Sequence, residues 1–240
     1  MSGQTVFFDL DDTLISSYRD PRSAWIGIAR EFLGEEGAEA VGSAVAGRVA
    51  RFHRHDAGRR LWRLDPVETR RGVLLSAFEQ LHEEGLALPD SLAIAMADRY
   101  EPYRFERSAL HPSALPALEA LRARGARLGL LTNGASRVQR RKIDRFGLAP
   151  LFDLIQVEEE FGIGKPSPRA YRAALDALGA EPSRSWMVGD DIGMDIVPAL
   201  ALGLRTAWYN PDATAWPSSQ PRRPTSVIHH LDAVPALPGL

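Results

Sequence analysis

The chain has 240 residues, 45% hydrophobic and 25% charged, with a formal net charge of −2. That composition suits a globular protein with one large domain or a core plus a smaller insert, and it supplies no global field to recruit nucleic acid or an anionic membrane. No apolar run is long enough for a membrane span, and the absence of cysteine excludes disulfides, thiolate metal sites and thiol nucleophiles. The N-terminus MSGQTVFFDL lacks a basic segment ahead of an apolar one, so a signal peptide is not expected and a cytoplasmic address is.

The first strand is expected at Val6-Phe7-Phe8, and it runs into Asp9-Leu10-Asp11-Asp12-Thr13. Alternation along an extended chain puts the Asp9 and Asp11 carboxylates on one side, where they need a cation or a shared proton. No convincing strand follows until residue 112. Residues 15–111 instead carry four amphipathic stripes. Trp25, Ile28, Ala29 and Phe32 form the first, and Val41, Val45, Val49 and Phe52 the second. Leu74, Ala77, Phe78 and Leu81 form the third, and Leu92, Ala95, Met96 and Tyr100 the fourth. Asp65-Pro66 reads as a helix N-cap followed by proline at the first helical position.

Beyond the insert, apolar runs at Leu128–Leu131, Leu154–Val157, Trp186–Val188, Thr206–Tyr209 and, more weakly, Val227-Ile228 read as strands buried on both faces. Helical patterns at 115–124, 138–146, 171–178 and 196–202 alternate with them, several stopping at glycine (Gly125, Gly147, Gly179, Gly203). This is a doubly wound, Rossmann-like α/β parallel sheet. The expected division is a catalytic core of residues 1–14 and 112–240, with a four-helix cap at 15–111.

Chemistry gathers where the strands end. Leu131 is followed by Thr132-Asn133-Gly134-Ala135-Ser136, a hydroxyl and a turn opening a helix, with Ser136 a candidate N-cap and the helix N-terminus a candidate anion site. Gly164-Lys165-Pro166 places an extended lysine at a loop tip. It is not a Walker A loop, because the required glycine position holds Glu159. Lys165 is one of two lysines, with Lys142, against 27 arginines. Val188 is followed by Gly189-Asp190-Asp191-Ile192-Gly193-Met194-Asp195, three carboxylates suited to a hard cation such as Mg2+. Of these, Asp195 is the one expected to support the helix N-terminus. All four segments lie at the carboxyl ends of core strands, where α/β sheets bind ligands, and together they describe a phosphoryl-transfer site.

These four segments resemble the motifs of the haloacid dehalogenase superfamily over about Val6 to Tyr209, and the helical insert resembles its C1 cap. The resemblance implies Asp9 as nucleophile and metal ligand, and Asp11 as general acid–base and ligand through its carbonyl. It implies Thr132 and Asn133 on the phosphoryl oxygens, Lys165 as charge neutraliser and Asp190 completing the Mg2+ shell, with Thr13, Asp191 and Asp195 close by. Members that displace halide lack the second aspartate, so Asp11 points to phosphate chemistry. Leu131–Gly134, Lys165–Pro168 and Ala207–Asn210 look most like the branch of pyrimidine nucleotidases and N-acylneuraminate 9-phosphatases.

The expectation is therefore a Mg2+-dependent phosphatase acting through an aspartyl-phosphate on a small phosphorylated metabolite, a nucleoside monophosphate or sugar phosphate. It needs neither nucleic acid nor membrane and works as monomer or homodimer. A haloacid dehalogenase, a phosphomutase or phosphotransferase, and a non-enzymatic phosphoacceptor signalling module are the competing readings. In the cap, eight arginines between Arg48 and Arg71 either read an anionic substrate or line a solvated helix face. Trp25, Trp62 and Tyr103 either stack a base or fill the core.

Overall fold

A computed structural model describes residues 4–16 and 20–240. In chain order, β1 (Thr5–Phe8) leads through a tight turn to β2 (Ile15–Ser16). The insert follows as α1 (Pro21–Leu33), α2 (Ala38–Phe52), α3 (Asp56–Leu64), α4 (Pro66–Glu83) and α5 (Asp90–Arg107). The chain returns through β3 (Ala109–Leu110), α6 (Ala114–Ala123), β4 (Arg127–Thr132), α7 (Ser136–Arg145) and β5 (Leu154–Val157). It ends with α8 (Glu158–Phe161), α9 (Pro168–Ala177), β6 (Ser185–Gly189), α10 (Val197–Ala201), β7 (Arg205–Tyr209) and β8 (Ser226–Ile228). Two compact units result, one of Met1–Ser16 with Ala109–Leu240 and the other of Ser17–Ser108.

The larger unit holds a six-stranded parallel sheet in the order β5-β4-β1-β6-β7-β8, as the continuous apolar runs predict. Successive side chains of β1 serve opposite faces of it. Val6 and Phe8 pack with Leu118, Leu121 and Ile143, whereas Phe7 packs with Leu131, Tyr171 and Met187. Strand order reverses at β1: the chain builds outward to β4 and β5, then crosses back to β6 on the other side. The residue leaving β1 therefore stands at the switch point where such sheets bind ligands.

The turn after β1 is tight. The Leu14 and Ile15 N–H groups both donate to the Leu10 carbonyl at 3.0 Å, and Asp12 takes φ 60°, a left-handed conformation that aspartate tolerates better than most residues. Two-residue strands β2 and β3 then pair antiparallel, Ile15 with Leu110 and Ser16 with Ala109. They were invisible as periodicity because two residues carry none.

The four stripes of the insert correspond to α1, α2, α4 and α5, and a fifth helix, α3, intervenes. Its sequence DAGRRLWRL offers few apolar residues to pattern. Trp25, Val45, Leu74, Phe78 and Met96 fill the interior of this unit. Phe32, at the end of the first stripe, is exposed. Trp25 and Tyr103 are buried, and Trp25 stacks on Tyr100 at 4.3 Å, so two of the three aromatics considered for base stacking belong to the core. The arginines are largely tied to neighbours: buried Arg70 pairs with Glu101 at 3.1 Å, and Arg71 with Asp98 at 2.8 Å. Asp65 occupies the N-cap of α4 as expected, without a side-chain hydrogen bond to it.

Gly42 marks the crossing of α1 and α2, since a Cβ there would lie 2.5 Å from the Ile26 Cα. Gly42→Ala is expected to destabilise the protein by about 1–3 kcal/mol, the cost of overpacking. Gly47→Ala, whose Cβ would meet nothing closer than Arg51 Nη1 at 3.9 Å, should be neutral or slightly stabilising. Thermal melts of the two variants compare them directly.

Candidate active site

Asp9 leaves the end of β1 buried, its N–H donating to the Val188 carbonyl at 3.0 Å, so the backbone of the neighbouring strand fixes its position. Lys165 arrives from the loop between α8 and α9 with only 4% of its side chain exposed. Its Nζ donates to Asp9 Oδ1 at 2.5 Å and to Asp195 Oδ1 at 2.6 Å. Asp190, at the end of β6, completes a group in which oxygens of Asp9, Asp190 and Asp195 lie within 4.8 Å of one another. Residues more than 150 positions apart in sequence thus share one small volume.

The loops that carry these groups are braced from behind. Asn133 uses both ends of its amide on the Lys165 backbone: Nδ2 donates to the Lys165 carbonyl at 2.7 Å, and Oδ1 accepts the Lys165 N–H at 2.8 Å. Gly164 has no room for a side chain there, as a Cβ would meet Asn133 Oδ1 at 2.5 Å and the Glu158 side chain at 2.6 Å. Fully buried Thr13 donates to Asp190 Oδ1 at 3.3 Å and accepts the Asp190 N–H at 3.1 Å, joining the β1 and β6 loops. The Trp208 indole donates to the Asp190 carbonyl at 2.9 Å.

At the start of α7, where an anion site is expected, two backbone N–H groups already have acidic partners within the protein. Ala135, not Ser136, takes the N-cap position. The Gly134 N–H donates to Glu158 at 3.1 Å and the Ser136 N–H to Glu159 at 2.6 Å, while Glu160 accepts from the Ser136 hydroxyl and pairs with Arg140. Three consecutive glutamates of α8 therefore cluster at that helix end, and Glu159 takes its first backbone N–H.

The acidic run after β6 also divides its work differently from the sequence expectation. Asp191 is the N-cap of the π-helical turn Ile192–Ile196, accepting the Gly193 and Met194 N–H groups at 2.7 and 2.9 Å. Asp195, expected to support the helix start, is 1% exposed; it turns one oxygen to Lys165 and accepts only the Asp191 N–H with the other. Capping geometry depends on where the backbone turns, which the spacing of acidic residues does not reveal.

The Asp11 carboxylate is not one of the trio and has partners on α7. Both its oxygens accept from Lys142 Nζ, at 2.7 and 2.8 Å, and one also accepts from Gln139 Nε2 at 2.9 Å. Gln139 contacts the Thr132 hydroxyl as well. Sequence reading missed Gln139 and Lys142 as site residues. The available signal was their three-residue spacing on a helix leaving a motif strand, together with the rarity of lysine.

The electrostatics of the trio are those of a charge deficit. Burial pushes the Asp9 carboxyl up to about 7, the Lys165 charge opposing and the Asp195 charge adding to the effect. Burial, then the charges of Asp9 and Asp195, push Asp190 up to about 8, and burial raises Asp195. For Lys165, burial works against the ammonium, but the Asp195 and Asp9 carboxylates overcome it and hold its pKa above the ordinary lysine value. Among the described residues, the ion pairs made by these three carboxylates all run to Lys165. Three buried carboxylates against one ammonium form a donor set of hard oxygens that fits a divalent cation.

Known proteins are similar along the whole chain. The haloacid dehalogenase-like hydrolase family model matches residues 4–203. A phosphoserine phosphatase of Thermus thermophilus is 34% identical over 224 residues, covering 85% of this chain and 88% of its own. Pyrimidine 5'-nucleotidase YjjG of Escherichia coli is 29% identical over 97% of both chains. Among solved structures, HAD-hydrolase YfnB of Bacillus subtilis, bound to magnesium, has a TM-score of 0.75 at 21% identity with full coverage of both chains. A 2-haloacid dehalogenase of Pseudomonas syringae has a TM-score of 0.65 at 28% identity, covering 98% of this chain and 97% of its own.

Carboxyls raised above the ordinary value of 3.8 bind more protons folded than unfolded between about pH 4 and 8, so unfolding free energy falls as pH rises through that window. In chelator, the melting temperature should drop from about pH 4 to 8, and Asp190→Asn should flatten the slope. Thermal melts across that range check both.

Proposed function

The chain belongs to the haloacid dehalogenase-like hydrolases, and on that premise we propose that it hydrolyses a small phosphomonoester through an aspartyl-phosphate on Asp9. The observation that carries the reading is the buried Lys165 pinning one oxygen of Asp9 beside two further carboxylates, with a second aspartate, Asp11, two residues on. A carboxylate is a weak nucleophile in water. Held in line with a phosphorus atom and stripped of competing water, it becomes an adequate one.

In the first step an Asp9 oxygen bonds to phosphorus as the bond to the leaving oxygen breaks, and Asp11 as acid gives that oxygen a proton. In the second step Asp11 takes a proton from water, the water oxygen bonds to phosphorus, and the bond to Asp9 breaks to release inorganic phosphate. Lys165 keeps Asp9 oriented and offsets charge on the phosphoryl group. The Thr132 hydroxyl is assigned to the phosphoryl oxygens. Asn133, named with it on sequence grounds, acts through Lys165, whose backbone occupies its side chain. Asp9, Asp190 and the Asp11 carbonyl would hold Mg2+, with Asp195 behind them, and the ion would neutralise phosphoryl charge when bound.

Asp11 also separates this reading from halide displacement, in which the leaving group needs no proton. The phosphatase and nucleotidase among the relatives act on phosphorylated small molecules by name. They support a phosphorylated metabolite, a nucleoside monophosphate or sugar phosphate, as substrate. The pyrimidine nucleotidase matches nearly end to end and puts nucleoside monophosphates first in a screen. No helix among the described residues is long and apolar enough to cross a membrane.

Asp9→Asn is expected to lower kcat by about 10^3-fold or more while leaving the circular dichroism spectrum unchanged. Retained turnover would remove Asp9 as nucleophile. Millimolar Mg2+ should raise the melting temperature of the wild-type protein, by about 2.7 kcal/mol of added stability at one hundred times its Kd. That shift should be lost in Asp190→Asn.

A further inference from the structure

We propose that Lys142 and Gln139 are positioning residues for Asp11, holding its carboxylate on the leaving-group side of the site and out of the group formed by the Asp9, Asp190 and Asp195 carboxylates. The inference rests on the reading of Asp11 as the acid that protonates the leaving oxygen. Three observations carry it. First, Asp11 is absent from the cluster of Asp9, Asp190 and Asp195, although it lies two residues from Asp9. Second, its carboxylate is gripped on both oxygens by Lys142 and on one by Gln139, a three-point hold that fixes the plane of the group as well as its place. Third, the grip is itself anchored: Gln139 is 2% exposed, accepts from Lys142 Nζ at 2.9 Å through Oε1, and bonds the Thr132 hydroxyl through Nε2.

The two residues stand three apart on α7, so one helix face presents both, with Ile143 seating that helix in the core of the sheet. Side-chain exposure grades across the site, from 4% at Lys165 and 11% at Asp9 to 12% at Lys142 and 31% at Asp11. Asp11 is thus the acid with access to a departing alcohol, and a half-exposed aspartate left alone would sample several rotamers. The lysine and the amide remove that freedom before substrate arrives, which is the entropic part of general acid catalysis. No proton moves through Lys142 itself. The only two lysines in the chain each grip one aspartate of the Asp9–Asp11 pair, and arginine serves every other basic position.

The test compares leaving groups. kcat/KM covers binding and transfer to Asp9, because the attack of water follows departure of the leaving group and does not enter it. p-Nitrophenolate departs readily without a proton, whereas an alkoxide needs one. Wild type, Asp11→Asn, Lys142→Met and Lys142→Arg are assayed on p-nitrophenyl phosphate and on an alkyl phosphate such as glycerol phosphate. Lys142→Met should lose about tenfold or more in kcat/KM on the alkyl ester beyond its loss on the nitrophenyl ester, a fraction of what general acid catalysis supplies. Lys142→Arg, whose fork also spans a carboxylate, should recover most of that difference. Melting temperatures of the variants within a few degrees of wild type exclude a folding defect.

If Asp11→Asn shows the leaving-group split and Lys142→Met loses equally on both esters or not at all, the positioning role is overturned while Asp11 stands. If Asp11→Asn itself shows no split, the assignment of Asp11 as acid falls, and the inference with it.

Discussion

The site depends on one interaction, the buried ammonium of Lys165 between the carboxylates of Asp9 and Asp195. Two like charges this close are tolerated in a low-dielectric interior only when a cation shares them. A single lysine makes no ion pair with Asp190, and burial, with neighbouring carboxylates adding to it, raises all three carboxyls. The geometry that makes these buried carboxylates electrostatically expensive is one that would suit a divalent ion.

Holding such a cluster requires the surrounding loops to be stiff, and the chain achieves this with internal polar contacts rather than regular structure. Asn133 clasps the Lys165 backbone, Thr13 staples the β1 and β6 turns, and Trp208 anchors the Asp190 carbonyl. The triple glutamate of α8 is the least expected of these braces. By accepting the Gly134 and Ser136 N–H groups, it ties the end of β5 to the end of β4 at the start of the helix that carries Gln139 and Lys142. The Ser136 N–H that opens α7 is thereby turned to an acidic side chain of the protein.

The sheet was legible in the sequence because strands buried on both faces leave continuous apolar runs, and Val6–Phe8 and Trp186–Val188 are such runs. Asp9, Thr132 and Asp190 were legible because each stands where one of those runs stops, and Lys165, farther from its strand, by its Gly-Lys-Pro setting. What escaped depends on tertiary placement. Lys142 and Gln139 are polar residues on an otherwise ordinary helix, and only the arrival of Asp11 from a segment more than 120 positions away makes them part of a site. The exchange of roles between Asp191 and Asp195 follows from a π-helical turn, a backbone feature that residue types do not encode. Helix α3 escaped because its nine residues, four of them Leu, Trp or Ala, make too short an apolar face to read as a stripe.

The short pairing of Ile15–Ser16 with Ala109–Leu110 has a consequence for how such a chain can change over time. The core sees the whole excursion from Ser17 to Ser108 as a hairpin loop whose two ends are already side by side. Closing a loop costs entropy that grows only slowly with its length, so its contents can be lengthened, shortened or exchanged with little penalty to the sheet. The pair is a graft junction: it lets one phosphoryl-transfer chassis accept different helical modules, and it makes the insert the natural unit of recombination in this architecture.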